Sequence, residues 1–300
     1  MQSPITNSSY TPPRRAPTIA LGLGRLFQAS HNRDSIYELL VHALALGFTF
    51  WELSPRYACG EAERIVADFL AGQPSAVTLL THLGDPEGQF DGSYDATLRC
   101  VEASLRRLQV DRLTMLHLAA RASEPIEPLL RSNRGLGALV RLRDEGVIPL
   151  LGVSTESIAH AEAAFATGEF QQLLCFNHGH LLDSTALTAL FPHAKRLDMR
   201  TINGAPFAQG LLTDQGIDKA IDAEDTPEWL LDKLDSLLAM LEDADIGILE
   251  AALWFALDPD IIDAVLLGAQ TPDELEKVKI ILESEPSAAV RFCQAWKKRT

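Results

Sequence analysis

Glu52, Tyr57 and His82 are the residues of this chain whose types and spacing point to proton chemistry. In the stretch FTFWELSPRYACGEAE, residues 48–63, an alternating apolar run ends on Glu52, and Tyr57 follows in a Pro-containing loop. A second apolar run, VTLLTH, ends on His82. A phenol with a pKa near 10 exchanges protons poorly at neutral pH unless a neighbouring charge tunes it. An imidazole supplies positive charge only below about pH 6.5, unless a carboxylate raises its pKa. Converging, the three form a Glu–His–Tyr acid/base relay in which the imidazole tunes the phenol. Each also has a structural reading, since a Glu at a strand end caps helices or pairs with cations, and a loop Tyr packs.

Convergence requires strands that end side by side. Eight short β-rich runs supply them, at 18–23, 48–53, 77–81, 113–118, 148–153, 171–176, 199–203 and 263–267, alternating with segments of helical periodicity. DSIYELLVHALALG starts at the capping candidates Asp34 and Ser35 and stops at Gly47, while NRGLGALVRLRDEG stops at Gly146. In TPDELEKVKIIL, Thr271 is placed to cap, Pro272 to open the helix and Glu274 to complete a capping box. The pattern predicts one (β/α)8 barrel over 18–300, with a polar, Pro-rich, disordered tail at 1–17 and an acidic insertion of two helical patterns around 213–262. An open doubly wound sheet is disfavoured, because GLGLGR after the first strand lacks the G-x-G-x-x-G spacing. In such a barrel, chemistry gathers at the C-terminal strand ends.

Composition narrows the partners. A net charge of −15 argues against nucleic acid and anionic membranes, both of which reward Lys/Arg patches. The four cysteines are scattered without a C-x-x-C pair, as in a reduced cytoplasmic protein. The densest apolar runs, such as ILEAALWFAL, are too short to span a bilayer. The expected partner is a small molecule bound by a monomer or homodimer. NHGH, residues 177–180, places His178 and His180 near the tip of strand six, but H-x-H spacing in a loop does not by itself build a metal site, and none is predicted.

Several ordered stretches resemble the aldo-keto reductase superfamily, in the flavour of its bacterial aldose and pyridoxal dehydrogenase branch. They are GFTFWELSPRYACGEAER, SLRRLQVDRLTMLHL, LVRLRDEGVIPLLGVS, LLDSTALTALFP, GAPFAQGLL and LLGAQTPDELEKV. The resemblance implies an aldo-keto-reductase-type TIM barrel and a site in which a Tyr proton donor is tuned by a Lys that an Asp holds, beside a His. Tyr57 matches the Tyr, Glu52 stands at the Asp, His82 at the Lys and Ala119 at the His, so the tetrad is degenerate. His117 matches an earlier, non-catalytic histidine and, lying inside strand four, reads as a hydrogen-bonded core residue one layer below Ala119. The resemblance further implies nicotinamide contacts at Ser154 and Thr155 and a pyrophosphate-cradling loop through Ala205, Phe207, Gly210 and Leu212. Nucleotide contacts would fall at Gly268 and Gln270. Gln270 and Val278 replace an Arg and an Asn of that pattern, which argues against NADPH and leaves NADH or no nucleotide, with Lys277 or Lys279 as substitute charges.

Glu52, His82 and Tyr57 each still handle protons, so the reading favoured by sequence is non-redox chemistry on a small carbonyl compound: elimination, isomerisation or cyclisation. An NAD(P)H-dependent reductase or dehydrogenase is the alternative, and a non-catalytic binding protein the third. Trp51, Ala119 and His178 are assigned to the substrate pocket, with Phe207 and Trp254 as further apolar lining.

Overall fold

A computed structural model describes residues 18–28, 32–71, 77–88, 90–120 and 122–299; the tail predicted at 1–17 lies outside them. Eight parallel strands close into a barrel in chain order: β1 (Thr18–Gly22), β2 (Phe50–Glu52), β3 (Thr78–Leu83), β4 (Met115–Ala120), β5 (Leu150–Thr155), β6 (Gln172–Phe176), β7 (Arg200–Gly204) and β8 (Ala264–Gly268). Each falls on a run expected from sequence. Around them run α1 (Gly24–Gln28), α2 (Arg33–Ala45), α3 (Glu61–Leu70), α4 (Tyr94–Leu108), α5 (Gly135–Asp144), α6 (Ile158–Phe165) and α7 (Phe191–Arg196). Between β7 and β8 lie α8 (Asp214–Asp222), α9 (Glu228–Ala244) and α10 (Ile248–Ala256). Two helical patterns were expected there, and α8 is the third. Two helices follow β8, namely α11 (Pro272–Glu283) and α12 (Ser287–Trp296).

Period-2 alternation sorts the strand side chains into two cores. One set fills the barrel interior, where Ala20, Leu80, Met115, Leu174, Ile202, Ala264 and Leu266 form an apolar plug. The other faces the helices and holds most of the large side chains, including Trp51, Leu53, Leu116, Val153 and Val265. Trp51 is therefore not a pocket residue. It neighbours the inward-facing Glu52, so it points outward, fully buried, with its indole N–H donating to the Phe48 carbonyl at 2.7 Å and its ring against Phe69.

The helix caps are partly as expected. Asn32, not Asp34 or Ser35, caps α2 by accepting from the Ser35 N–H. Thr271 caps α11, but Glu274 reaches one residue further back than a capping box and accepts the Gln270 N–H at 2.8 Å. Among the described residues no helix is long and apolar enough to cross a membrane.

Candidate active site

Glu52 ends β2, His82 lies on neighbouring β3, and Tyr57 opens the short turn Tyr57–Gly60 that leads into α3. All three meet at one atom. Glu52 Oε1 accepts the Tyr57 hydroxyl at 2.8 Å and lies 2.7 Å from His82 Nε2. Glu52 and His82 are buried, while Tyr57 is half-buried with its ring against Gly24, where a Cβ would stand 2.9 Å from Cζ. The backbone after Tyr57 is left-handed at three successive residues, Ala58 (φ 48), Cys59 (φ 52) and Gly60 (φ 86).

The order of the relay differs from the expected one. The carboxylate, not the imidazole, sits in the centre, because Glu is one methylene longer than Asp and reaches the phenol directly. Burial first, and then the Glu52 charge and hydrogen bond, push the Tyr57 pKa well above its usual value of 10. Two hydrogen bonds ending on one carboxylate oxygen require each partner to present a hydrogen, so His82 carries one on Nε2. Its Nδ1 is buried without a hydrogen-bond partner among the described residues.

Below the rim the barrel interior continues polar. His117 is fully buried, with Nδ1 2.8 Å from Ser154 Oγ and Nε2 2.9 Å from Gln172 Oε1, and its ring meets His82 edge-on at 6.0 Å. It is the hydrogen-bonded core histidine expected from sequence. Gly152 makes room for it, since a Cβ there would lie 2.2 Å from His117 Nε2. Burial lowers the His117 pKa to about 3, helped by the neighbouring His82. The unfolded chain, with an ordinary value near 6.5, binds a proton that the folded chain refuses. This contribution is therefore whole above about pH 6.5 and is lost as pH falls toward 3, by roughly 4–5 kcal/mol for a shift of this size. The urea midpoint should drop between pH 7 and pH 4, and His117→Gln should flatten that drop; an unchanged profile in the variant would refute the assignment.

Ser154 thus has its hydroxyl engaged by His117 and is buried. Thr155 faces outward, where its Oγ1 accepts the Ser157 N–H at 2.9 Å in the turn before α6. Leu212 is buried in the outer core. In this structure all three side chains are engaged within the protein. Ala119 is exposed at the tip of β4, opposite Ser154. His178 stands at the rim, with its ring nitrogens 2.8 Å from Asp183 Oδ2 and 2.7 Å from the Glu156 carbonyl. His180 is buried, and its Nδ1 accepts the Leu182 and Asp183 N–H groups. NHGH therefore organises its own loop. No cluster of three or more His, Cys, Asp or Glu able to hold a metal ion occurs among the described residues.

Beside the strand tips a cleft of about 320 Å³ opens between the β7–α8 connection and α11. Phe207, Gly210, Thr213 and Asp214 form one side, Gly268, Glu274, Lys277 and Val278 the other, and Arg25 reaches in from α1. Of the expected nucleotide contacts, Phe207, Gly210 and Gly268 line it. Ala205 (φ 59), Ala208 (φ 46), Gln209 (φ 58) and Gly210 (φ 101) give the loop a left-handed path. The N–H groups of Ala208, Gly210, Leu211 and Leu212 all donate within that loop. Gln270 donates its side-chain amide to the Arg25 carbonyl at 3.4 Å. Lys279 is paired with Glu283 at 3.1 Å, so of the two lysines only Lys277 faces the cleft. Arg25 and the acidic Asp214 were not foreseen, because the glycines beside Arg25 were read only for their spacing and Asp214 only as part of an acidic insertion.

The family model described as "Aldo/keto reductase family" matches residues 18–288. The chain belongs to that family. Similar proteins include L-galactose dehydrogenase of Arabidopsis thaliana, 25% identical with 85% of this chain and 80% of that protein covered. D-threo-aldose 1-dehydrogenase of a Pseudomonas species is 23% identical, with 85% of each covered. The solved structure of an aldo-keto reductase from Bacillus halodurans in its holo form superposes with a TM-score of 0.75 at 21% identity, covering 93% of this chain and 91% of that one, a likeness of fold. In this member of the family, one carboxylate oxygen of Glu52 joins Tyr57 and His82 into a carboxylate-centred cluster at the ends of neighbouring strands.

Proposed function

We propose that this aldo/keto reductase is a nicotinamide-dependent dehydrogenase acting on a hydroxyl group of a small, sugar-like or aldehyde-related substrate. One observation carries the direction of the chemistry: the Tyr57 hydroxyl donates to Glu52. A phenol whose hydrogen is committed to a carboxylate presents a lone pair to the pocket. It accepts the proton of a substrate hydroxyl while passing its own to Glu52 Oε1, and His82, bonded to the same oxygen, stabilises the charge that Glu52 holds before the transfer. A bound nicotinamide nucleotide would supply the hydride acceptor. The cleft fits such a group, since the absence of a Cβ at Gly268 lets Arg25 lie along its floor, and Phe207, Arg25 and Lys277 offer an apolar wall and two cations.

The non-redox reading drawn from sequence rested on loss of the nucleotide site. A cleft of this size beside the strand tips, together with relatives named as dehydrogenases, supports redox chemistry instead. The test is to follow nicotinamide reduction with NAD⁺ and NADP⁺ over a panel of aldoses and small alcohols. Turnover is expected, and Tyr57→Phe should lower kcat by roughly 10²–10⁴-fold while NADH affinity stays unchanged. Failure of every substrate, together with absence of nucleotide binding by tryptophan fluorescence, would overturn the proposal.

A further inference from the structure

Arg25 occupies an unusual place. It lies on α1, directly after β1, and this turn is tied on both flanks. The Leu23 N–H donates to the Glu52 carbonyl at 3.1 Å, and the Arg25 carbonyl accepts from Gln270. Its side chain crosses the tip of β8, with Cδ 3.0 Å and Cγ 3.2 Å from where a Cβ of Gly268 would stand, and it extends to place Nη1 4.0 Å from the corresponding point at Gly210. It therefore spans the cleft floor from the β8 tip to the β7 loop. A Cβ at 268 would press on it and require it to give by a few tenths of an ångström.

Among the described residues no carboxylate pairs with the Arg25 guanidinium, which is exposed to the cleft. The other cation there, Lys277, belongs to α11. The acids are distributed differently: Glu274 Oε2 holds the Gln270 N–H, and Asp214 opens α8. The loop amides of Ala208, Gly210, Leu211 and Leu212 are spent on internal turns, so the backbone has little left with which to hold an anion. Of the two cations that line the cleft, Arg25 is the one that lies along the Gly210–Gly268 floor. A guanidinium presents parallel N–H donors that match two phosphoryl oxygens and keeps its charge at every working pH.

We propose that Arg25 is the diphosphate clamp of this protein, a binding residue supplied by the first βα turn; this rests on the nucleotide reading above. The test uses the full-length protein and equilibrium binding of ADP-ribose and of adenosine, followed by calorimetry. Wild type should bind ADP-ribose more tightly than adenosine. Arg25→Ala should weaken ADP-ribose by about tenfold or more, as expected for loss of a charge-assisted hydrogen bond, and leave adenosine unchanged. Arg25→Lys should recover part of the loss, and rising salt should erode the wild-type advantage of ADP-ribose but not that of Arg25→Ala. Equal ADP-ribose affinity in wild type and Arg25→Ala would overturn the clamp while leaving the nucleotide reading intact. Absence of binding of either ligand, and of NADH, to wild type would overturn both.

Discussion

Glu52→Gln is expected to cut turnover by roughly 10²–10⁴-fold, the range spanned by a lost acid/base group, while nucleotide affinity is retained. The amide is nearly isosteric and can still accept one hydrogen, but it cannot take a proton from Tyr57. It also removes one of the influences that hold the phenol pKa up, the Glu52 charge, and leaves only a neutral acceptor for the hydrogen bond. The Tyr57 pKa should therefore fall relative to wild type, yet stay above 10 because burial, the leading cause, remains. Ultraviolet difference titration of tyrosinate reads this directly, with no need for substrate. A phenol titration unmoved by the substitution would contradict the hydrogen bond on which the proposed proton route depends.

Gly152→Ala should be among the most destabilising single methyl additions in the chain. The added carbon would fall 2.2 Å from His117 Nε2, inside a closed ring of strands where the imidazole is fixed by Ser154 and Gln172. Relief requires the ring to move and leave buried polar atoms unpaired. Overpacking and one lost buried hydrogen bond together cost about 2–6 kcal/mol, a large share of the stability of an ordinary domain. Denaturant unfolding of Gly152→Ala should show this loss, and the double variant with His117→Ala should recover part of it by vacating the space. A Gly152→Ala protein as stable as wild type would show that the interior is looser than its packing implies.

The barrel was legible in the sequence because its strands announce themselves as apolar runs between helical periodicities, and each run expected became a strand. The approach of Glu52, Tyr57 and His82 was legible for the same reason, since neighbouring strands place their ends side by side. The order of their hydrogen bonds was not, because it depends on a single methylene and on the path of the turn after Tyr57. Trp51 could have been read correctly from alternation alone, as the neighbour of an inward Glu52. Ser154 and Thr155 were harder: the likeness of GVSTES to a family stretch says nothing of His117 reaching across to claim the first hydroxyl. Arg25 acquires meaning only when β8 closes against β1 and brings residues 25 and 268 together.

The left-handed passage through Ala58 and Cys59 has its own consequence. Each L-residue there carries a steric penalty of roughly 1–2 kcal/mol that surrounding contacts must offset. Tyr57 is thus aimed by main-chain geometry, and the two small residues after it govern where the phenol oxygen points without bearing any acid or base themselves. A branched side chain at either position would spoil the pocket while every proton-carrying group stayed in the sequence.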